Sequence, residues 1–141
     1  MNKFAECLDV DAAYIAGIID GEGTINVIKS GTGRFQVEVS VSQVNPLPLK
    51  FITDRFGGNL YVRTIPNRPR NKPIWKLAYT SKNFDRFISR ILPYLVLKKE
   101  KALIAIEMRK LLESTKCERN IPINEIEKRN NLVVLAKKYS Q

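Results

Sequence analysis

The chain has 141 residues, and its Lys and Arg side chains exceed its Asp and Glu side chains by ten. This charge indicates a polyanionic partner, most simply nucleic acid, although a basic ribosomal or membrane-surface protein would have a similar composition. No run approaches the roughly 20 apolar residues that cross a bilayer, and residues 1–10 lack the apolar segment of a signal peptide. We therefore expect an intracellular protein (cytoplasm, nucleoid or organelle) that is not secreted and has no membrane partner.

The first predicted element is an apolar helix with its N-cap at Asp11, running into residues 20–23, Asp-Gly-Glu-Gly. Small residues and one acid recur along it at a four-residue spacing and therefore share one face. They are Ala12, Ala13, Ala16, Gly17 and Asp20. Because a glycine within a helix costs about 1 kcal/mol relative to alanine, Gly17 indicates that another backbone approaches closely there.

Glu22 lies where the carbonyls of this helix are unpaired and its macrodipole is negative. A carboxylate at that end is disfavoured unless a cation compensates it. Two carboxylates, free carbonyls and two glycines are typical of a flexible oxygen-donor site for a hard divalent cation. The alternative is a glycine-terminated helix whose acids face water. The local residues leave both interpretations open.

Two strands are predicted next, at residues 24–29 and 34–42, with a glycine-containing turn between them. The second strand alternates strictly between apolar and polar side chains, so one of its faces belongs to the core. The other face is either an ordinary solvated surface or a surface that reads DNA, since Arg and Gln form bidentate contacts with purine edges. The candidate DNA-contacting residues here are Asn26, Ile28, Ser30, Arg34, Gln36, Glu38 and Ser40.

A short amphipathic helix at residues 49–56, closed by two glycines, precedes strands at 60–65 and 74–80. Residues 59–83 contain six Lys or Arg side chains and no acid, which favours a hairpin that contacts phosphates and bases over a merely solvated loop. On the last strand we expect Trp75, Leu77 and Tyr79 to face the core and Lys76 and Ala78 to face the ligand. The DNA-contacting candidates in this region are Tyr61, Arg63, Arg68, Arg70, Lys72 and Lys76.

Three helical patterns complete the chain, at residues 84–92, 98–112 and 126–139. In the second we expect Ala102, Leu103, Ile106 and Leu111 to face inward. The predicted element order is α, β, β, α, β, β and three further helices. This is an α+β fold in which residues 1–141 form a single domain.

Residues 15–23, Ile-Ala-Gly-Ile-Ile-Asp-Gly-Glu-Gly, resemble the nine-residue signature of the LAGLIDADG homing endonucleases. Five positions are identical, with Gly21 replacing alanine and Glu22 replacing the usual aspartate. The element order matches the αββαββα core of that family with extra C-terminal helices. Residues 92–99 are similar to a family segment that follows the fourth strand. The resemblance covers nearly the whole chain and implies a four-stranded antiparallel DNA-binding sheet that forms a saddle.

The resemblance also implies roles for individual residues. In this family the small-residue face packs against a second copy of the helix, which implies a dimer interface at Ala13, Ala16, Gly17 and Asp20. The last acid, Glu22, binds the catalytic metal together with the carbonyl of Gly21. In the single-motif homodimeric branch, a glutamine that matches Gln43 positions water and a lysine that matches Lys98 lies near the scissile phosphates. The basic side chain that usually follows the glutamine is displaced or absent, with Lys50 the nearest.

The implied function is that of an intron-encoded, Mg²⁺-dependent endonuclease that makes a double-strand break in a long, pseudo-palindromic DNA site and has no small-molecule substrate. One chain has one signature helix, so two cuts require a homodimer whose helices cross. Because the chain has no histidine, hydrolysis must use carboxylates, lysine and metal-bound water. The alternatives on the same fold are an RNA splicing maturase and a non-cleaving DNA-binding regulator, whereas a basic structural protein would leave the signature helix unexplained.

Overall fold

A computed structural model of the chain describes residues 4–31, 33–64, 72–115 and 121–139. The fold is α+β, as predicted, and its element order follows the predicted one. The helices and strands are α1 Asp9–Glu22, β1 Gly23–Lys29, β2 Phe35–Gln43, α2 Leu47–Phe56, β3 Tyr61–Arg63, β4 Ile74–Thr80, α3 Ser81–Ile91, α4 Lys99–Ser114 and α5 Ile123–Lys138. One turn of 3-10 helix, Leu92–Tyr94, follows α3. None of the helices in the described ranges has the length and apolar character needed to cross a membrane.

The four strands form one antiparallel sheet in the order β1-β2-β4-β3. Alternate residues of β2 are buried, and so are Leu77 and Tyr79 on β4, while Trp75 is half-buried. This confirms the predicted alternation of β2 and the predicted orientation of β4. The buried face of the sheet packs against the helices, and the opposite face remains open.

The core lies between that buried face and the helices. Helix α1 contributes Ala12, Ile15, Ala16 and Ile19, whose spacing puts them on one stripe of the helix. Aromatic packing adds to the core, since the ring centroids of Tyr79 and Phe87 lie 4.8 Å apart. Full burial of one such aromatic side chain contributes about 1.5–3 kcal/mol to folding.

Helix α1 passes into strand β1 without an intervening loop. Gly23 ends the helix and begins the strand, and its N–H donates to the carbonyl of Ile19. A Cβ atom at this position would lie 2.9 Å from the Ile19 Cα and carbonyl oxygen, closer than a side chain can approach. Glycine is therefore required at the junction, and the junction sets the position of Glu22.

Several predicted boundaries and orientations are corrected. Helix α1 begins at Asp9, so Asp11 is not the N-cap; its carboxylate instead accepts the N–H of Leu8, at 3.1 Å.

Strand β3 covers residues 61–63, and residue 65 of its predicted range lies outside the described residues. Leu103 is 40% exposed, so its inward orientation was wrong. Arg109 takes an inward position of α4 and forms two hydrogen bonds to Asp85 of α3, at 2.9 and 2.7 Å.

Candidate active site and nucleic-acid interface

The outward face of α1 carries a second row of small residues: Ala13, Gly17 and Gly21. Within the described part of the chain, no atom beyond the local backbone lies within 4 Å of a Cβ built at Gly17 or Gly21. Ala16 lies on the adjacent, inward face of the helix and is 0% exposed, because the subunit's own core surrounds it. The predicted contact of Ala16 with a second copy stays a prediction, and the row that is accessible in the single chain is the one that contains Gly17.

Asp20 binds the segment that leads into α4. Its two carboxylate oxygens accept the N–H groups of Val96, at 2.8 Å, and of Lys98, at 3.0 Å. These groups precede the first turn of α4, where backbone donors have no intrahelical partner and a negative charge is favourable. Asp20 thus has a capping role inside the subunit, which the sequence did not reveal. Its predicted place in a dimer interface stays a prediction.

Lys98 also bonds to the end of α1 through its side chain. Its ammonium group donates a hydrogen bond to the Asp20 carbonyl, at 2.6 Å. This carbonyl belongs to the last turn of α1, whose carbonyl oxygens lack intrahelical donors. Two hydrogen bonds therefore join Asp20 and Lys98, which are 78 positions apart in the sequence. Each residue helps to fix the position of the other.

Glu22 is the other acid at this end of α1. Its side chain is exposed, and no hydrogen bond or ion pair joins it to another of the residues described. It borders a cleft of about 670 Å³ between the end of α1, the start of β1, the start of α4 and the end of α5. The lining residues are Asp20, Gly21, Glu22, Gly23, Thr24, Ile25, Asn26, Leu97, Lys98, Lys101, Lys138 and Tyr139. The structure thus brings Gly21, Glu22 and Lys98 together, as the sequence implied.

Gln43 lies at the end of β2 and is half-buried. Since Gly23 pairs with Val41, strand β2 continues two residues beyond the start of β1, and Gln43 pairs with Trp75 of β4. Gln43 is not among the residues that line the cleft. Its role in positioning water stays a prediction.

The donor atoms at the end of α1 fit a hard divalent cation in kind but are few in number. Glu22 offers an exposed carboxylate and Gly21 a carbonyl of the last helical turn, both oxygen donors of the type that Mg²⁺ and Ca²⁺ prefer. Asp20 is already engaged by two N–H groups. No group of three or more His, Cys, Asp or Glu side chains in the described ranges could hold a metal by itself. The carboxylates of the described residues therefore do not complete a coordination sphere by themselves.

The open face of the sheet carries most of the predicted DNA-contacting residues. Ile28 pairs with Gln36, Asn26 with Glu38, and Tyr61 with Lys76, so these side chains form neighbouring cross-strand pairs. The predicted DNA-contacting residues on this face are Asn26, Ile28, Gln36, Glu38, Ser40, Tyr61, Arg63 and Lys76. The Lys76 ammonium lies 3.7 Å from a Glu38 carboxylate oxygen, so the face contains an internal ion pair.

The remaining candidates flank this face. Ser30 and Arg34 lie in the turn between β1 and β2, where the Arg34 N–H donates to the Ser30 hydroxyl at 3.2 Å. Lys72 is exposed just before β4. Arg68 and Arg70 lie outside the described residues.

Two cleft residues, Lys101 and Lys138, were not selected from the sequence. Lys101 follows Lys98 by three residues on a helix, so the spacing could have placed both on one side. Burial lowers the pKa of Lys101, and the neighbouring Lys98 ammonium lowers it further. Lys138 had no such signal, because its place in the cleft depends on how α5 packs against β1.

The chain was compared with protein-family models, curated protein sequences and solved structures. The family model of the LAGLIDADG-like domain matches residues 9–92. No curated protein sequence matches the chain. Among solved structures, I-CvuI in complex with its target in the presence of calcium is 20% identical, with a TM-score of 0.74 over 94% of this chain and 83% of that one.

Two further structures are similar. The archaeal intron-encoded homing endonuclease I-Vdi141I, complexed with DNA, is 21% identical, with a TM-score of 0.74 over 94% of this chain and 86% of that one. The homing endonuclease I-TnaI is 16% identical, with a TM-score of 0.67 over 94% of this chain and 97% of that one. At these identities the likeness establishes a shared fold.

Proposed function

Since the chain belongs to the LAGLIDADG-like domain family, we propose that it is a site-specific DNA endonuclease. As a homodimer with Mg²⁺, it cuts both strands of a long, pseudo-palindromic duplex. The observation that carries this proposal is the exposed Glu22 carboxylate at the end of α1, in the same cleft as the Lys98 ammonium. I-CvuI and I-Vdi141I, which share the fold, were both determined with DNA. The intracellular location, the intron-encoded origin and the single-domain organisation of residues 1–141 remain predictions.

The cleft residues divide the chemistry of phosphodiester hydrolysis between them. Glu22 and the Gly21 carbonyl would hold a divalent cation, which would supply Lewis-acid stabilisation of phosphate charge. Lys98 stabilises negative charge that develops on the phosphate, and its contacts with Asp20 keep it in position. Gln43 orients the attacking water.

A second copy of the chain fits the outward face of α1. Ala13, Gly17 and Gly21 leave this face open to close approach of another helix. Next to it, the segment held by Asp20 exposes two apolar side chains, Val96 at 85% and Leu97 at 64%. A two-fold crossing here brings the two Glu22 side chains towards each other, where they would repel without a bound cation.

The open face of the sheet supports duplex DNA as the substrate. It presents amide, hydroxyl and charged groups in register across neighbouring strands, which suits contacts with base edges in the major groove. Lys76 has a carboxylate partner at 3.7 Å on this face, and a DNA phosphate would compete with Glu38 for it. Two such sheets related by a two-fold axis would bind the two halves of a long site.

Selection of cleaved duplexes from a randomised DNA library tests this function directly. We expect Mg²⁺-dependent recovery of one sequence family with approximate two-fold symmetry, and no recovery with EDTA. Sequence-specific binding without cleavage would favour the non-cleaving regulator. Tighter binding of structured RNA than of duplex DNA at matched salt would favour the maturase.

The substitution Gly17→Leu tests the proposed dimer. Because the position is open in the single chain, we expect the variant to fold normally but to lose the dimer, since leucine prevents close approach of two helices. The measurement is the mass of the protein–DNA complex together with the far-UV spectrum of the free protein. Asn131→Leu, which adds an exposed leucine on α5, is the control and should stay dimeric. An unchanged dimer in Gly17→Leu would contradict the proposed crossing.

A further inference from the structure

The cleft at the end of α1 contains a lysine that the proposed mechanism leaves without a role. Lys101 lines this cleft together with Glu22 and Lys98. It also lines a neighbouring cavity of about 450 Å³ beside β1, under α5. Asn26 borders both spaces as well, so the two adjoin and Lys101 lies where they meet.

Helix α5 forms the far wall of this region. The Lys29 ammonium of β1 donates a hydrogen bond to the Asn130 side-chain carbonyl of α5, at 3.2 Å, which ties the helix to the edge of the sheet. The end of α5 then places Lys138 and Tyr139 across the cleft from the end of α1. Three lysine side chains, two from α4 or its cap and one from α5, thus line the same space.

Three features of the position of Lys101 oppose the charged form of its side chain. Its side chain is half-buried, and burial lowers its pKa before the nearby Lys98 ammonium lowers it further. It also lies in the first turn of α4, at the positive pole of the helix macrodipole, where acids rather than bases are stabilising. A polyanion in the cleft would favour the charged form of Lys101 and so oppose these effects.

The turn after β2 supplies no such cation. Lys50, the nearest base to Gln43 on that side, is exposed on α2 and does not line the cleft. The Asp20 carboxylate is occupied by backbone N–H groups, so it does not neutralise the lysines of the cleft. The positive charge that faces Glu22 therefore comes from α4 and α5.

We propose that Lys101 contacts a DNA phosphate held in this cleft and serves, with Lys98, as the second basic residue of the active site. This inference rests on the proposed function, because the phosphate belongs to the duplex that the dimer binds. Lys101 replaces, from a different element, the base that is missing after Gln43. Lys98 acts from the helix cap, and Lys101 acts from one turn further along the helix.

The first test is the salt dependence of DNA binding, measured with Ca²⁺ in place of Mg²⁺ on a site recovered by the selection, or on an arbitrary duplex if none is recovered. Loss of one phosphate contact per subunit in Lys101→Met should reduce the slope of log K against log salt by about 0.9 per subunit. Lys110→Met removes an exposed charge from the far end of α4, where Lys110 pairs with Glu107, and should leave the slope unchanged.

The second test is the single-turnover cleavage rate. We expect a loss of about 100-fold in Lys101→Met, by analogy with removal of one charge-stabilising donor, and substantial recovery in Lys101→Arg. An unchanged salt slope in a folded Lys101→Met variant overturns the contact, even if the enzyme cleaves. If the wild type binds DNA but never cleaves it, and Lys101→Met shows the expected reduction in slope, the phosphate contact stands and the endonuclease function is rejected. Absence of DNA binding by the wild type overturns both.

Discussion

The acidic side chains at the two ends of α1 differ in their binding partners. At the start of the helix, Asp9 lies 2.9 Å from Arg90 and Asp11 lies 3.2 Å from Arg55. At the other end, Asp20 binds backbone N–H groups, and Glu22 has no hydrogen-bond or ion-pair partner among the residues that the structure describes. The first end therefore satisfies its charges within the subunit, whereas the second end leaves one unsatisfied.

This difference separates structural acids from a candidate functional one. The acids of the first turn lie at the positive pole of the helix, where they are stabilising, and arginines reinforce them. Glu22 lies at the negative pole, where a carboxylate is unfavourable in the free subunit. A side chain that disfavours the isolated fold and lies beside lysines is best explained by a ligand that binds there. The variants below test this contrast, from the largest expected effect to the smallest.

Glu22→Gln should have the largest effect. Loss of the carboxylate removes a ligand of the proposed metal site, so we expect the single-turnover cleavage rate to fall by about 1,000-fold or more. Specific binding of DNA in Ca²⁺ should change little, and thermal stability should stay the same or rise, since a charge is removed from the negative pole of α1. Full cleavage activity in this variant would contradict the role of Glu22.

Asp20→Ala should have an intermediate effect of a different kind. The variant loses two hydrogen bonds at the start of α4, which we expect to cost about 1–2 kcal/mol of unfolding free energy. The main-chain N–H of Lys98 then loses its acceptor, whereas its ammonium keeps the carbonyl of residue 20. Because the segment that carries Lys98 is less well held, cleavage should slow by about 10-fold while the metal ligand stays in place. Urea unfolding and single-turnover kinetics measure the two effects. Wild-type stability in this variant would show that the cap contributes nothing.

Asp11→Asn should have the smallest effect, confined to stability. The Leu8 N–H is the main cause of the lowered pKa of Asp11, and Arg55 lowers it further. A lowered pKa in the folded state means that the carboxylate stabilises the fold above the unfolded-state pKa, about 3.9. This stabilisation is lost as the pH falls through the folded-state pKa.

The pH dependence of Tm follows from that sign. Asp11→Asn should melt slightly below the wild type at neutral pH, and the difference should vanish in acid, with cleavage unaffected throughout. The control is Asp54→Asn, an exposed acid on α2. A difference in Tm that persists unchanged in acid would show that the ion pair and the N–H contact are not its source.

Sequence patterns predicted the parts of this fold that depend on neighbouring residues. The alternation of β2, the orientation of β4 and the helix that ends in residues 20–23 are all local signals. The inward face of α1 was harder to predict from the sequence, because small residues occur on both the inward face and the adjacent outward face. Ala16 therefore looked equivalent to Gly17, and only the packing of the sheet and the other helices separates the buried residue from the exposed one.

The candidate site was predictable only where one motif contains it. Gly21 and Glu22 are adjacent in sequence, and the resemblance extended to Lys98. The use of Asp20 as a cap depends on a contact 76 residues away, with Val96, which no spacing rule encodes. Lys101 looks like any surface lysine of an amphipathic helix until α5 and β1 enclose it. The excess of basic residues in the sequence indicates an anionic ligand, whereas the packing of the helices and strands decides which basic residues lie close enough to contact it.

The direct junction between α1 and β1 has a mechanical consequence. Gly23 belongs to both elements, and no flexible linker absorbs a rotation of one relative to the other. In a dimer built on α1, any change in the crossing angle of the two helices would therefore tilt each β1 strand and alter the spacing between the two sheets. The same junction carries Glu22, so distortion of the duplex and alignment of the acid would be coupled. Binding the wrong DNA could then misalign the chemistry without any change in the residues that touch the bases.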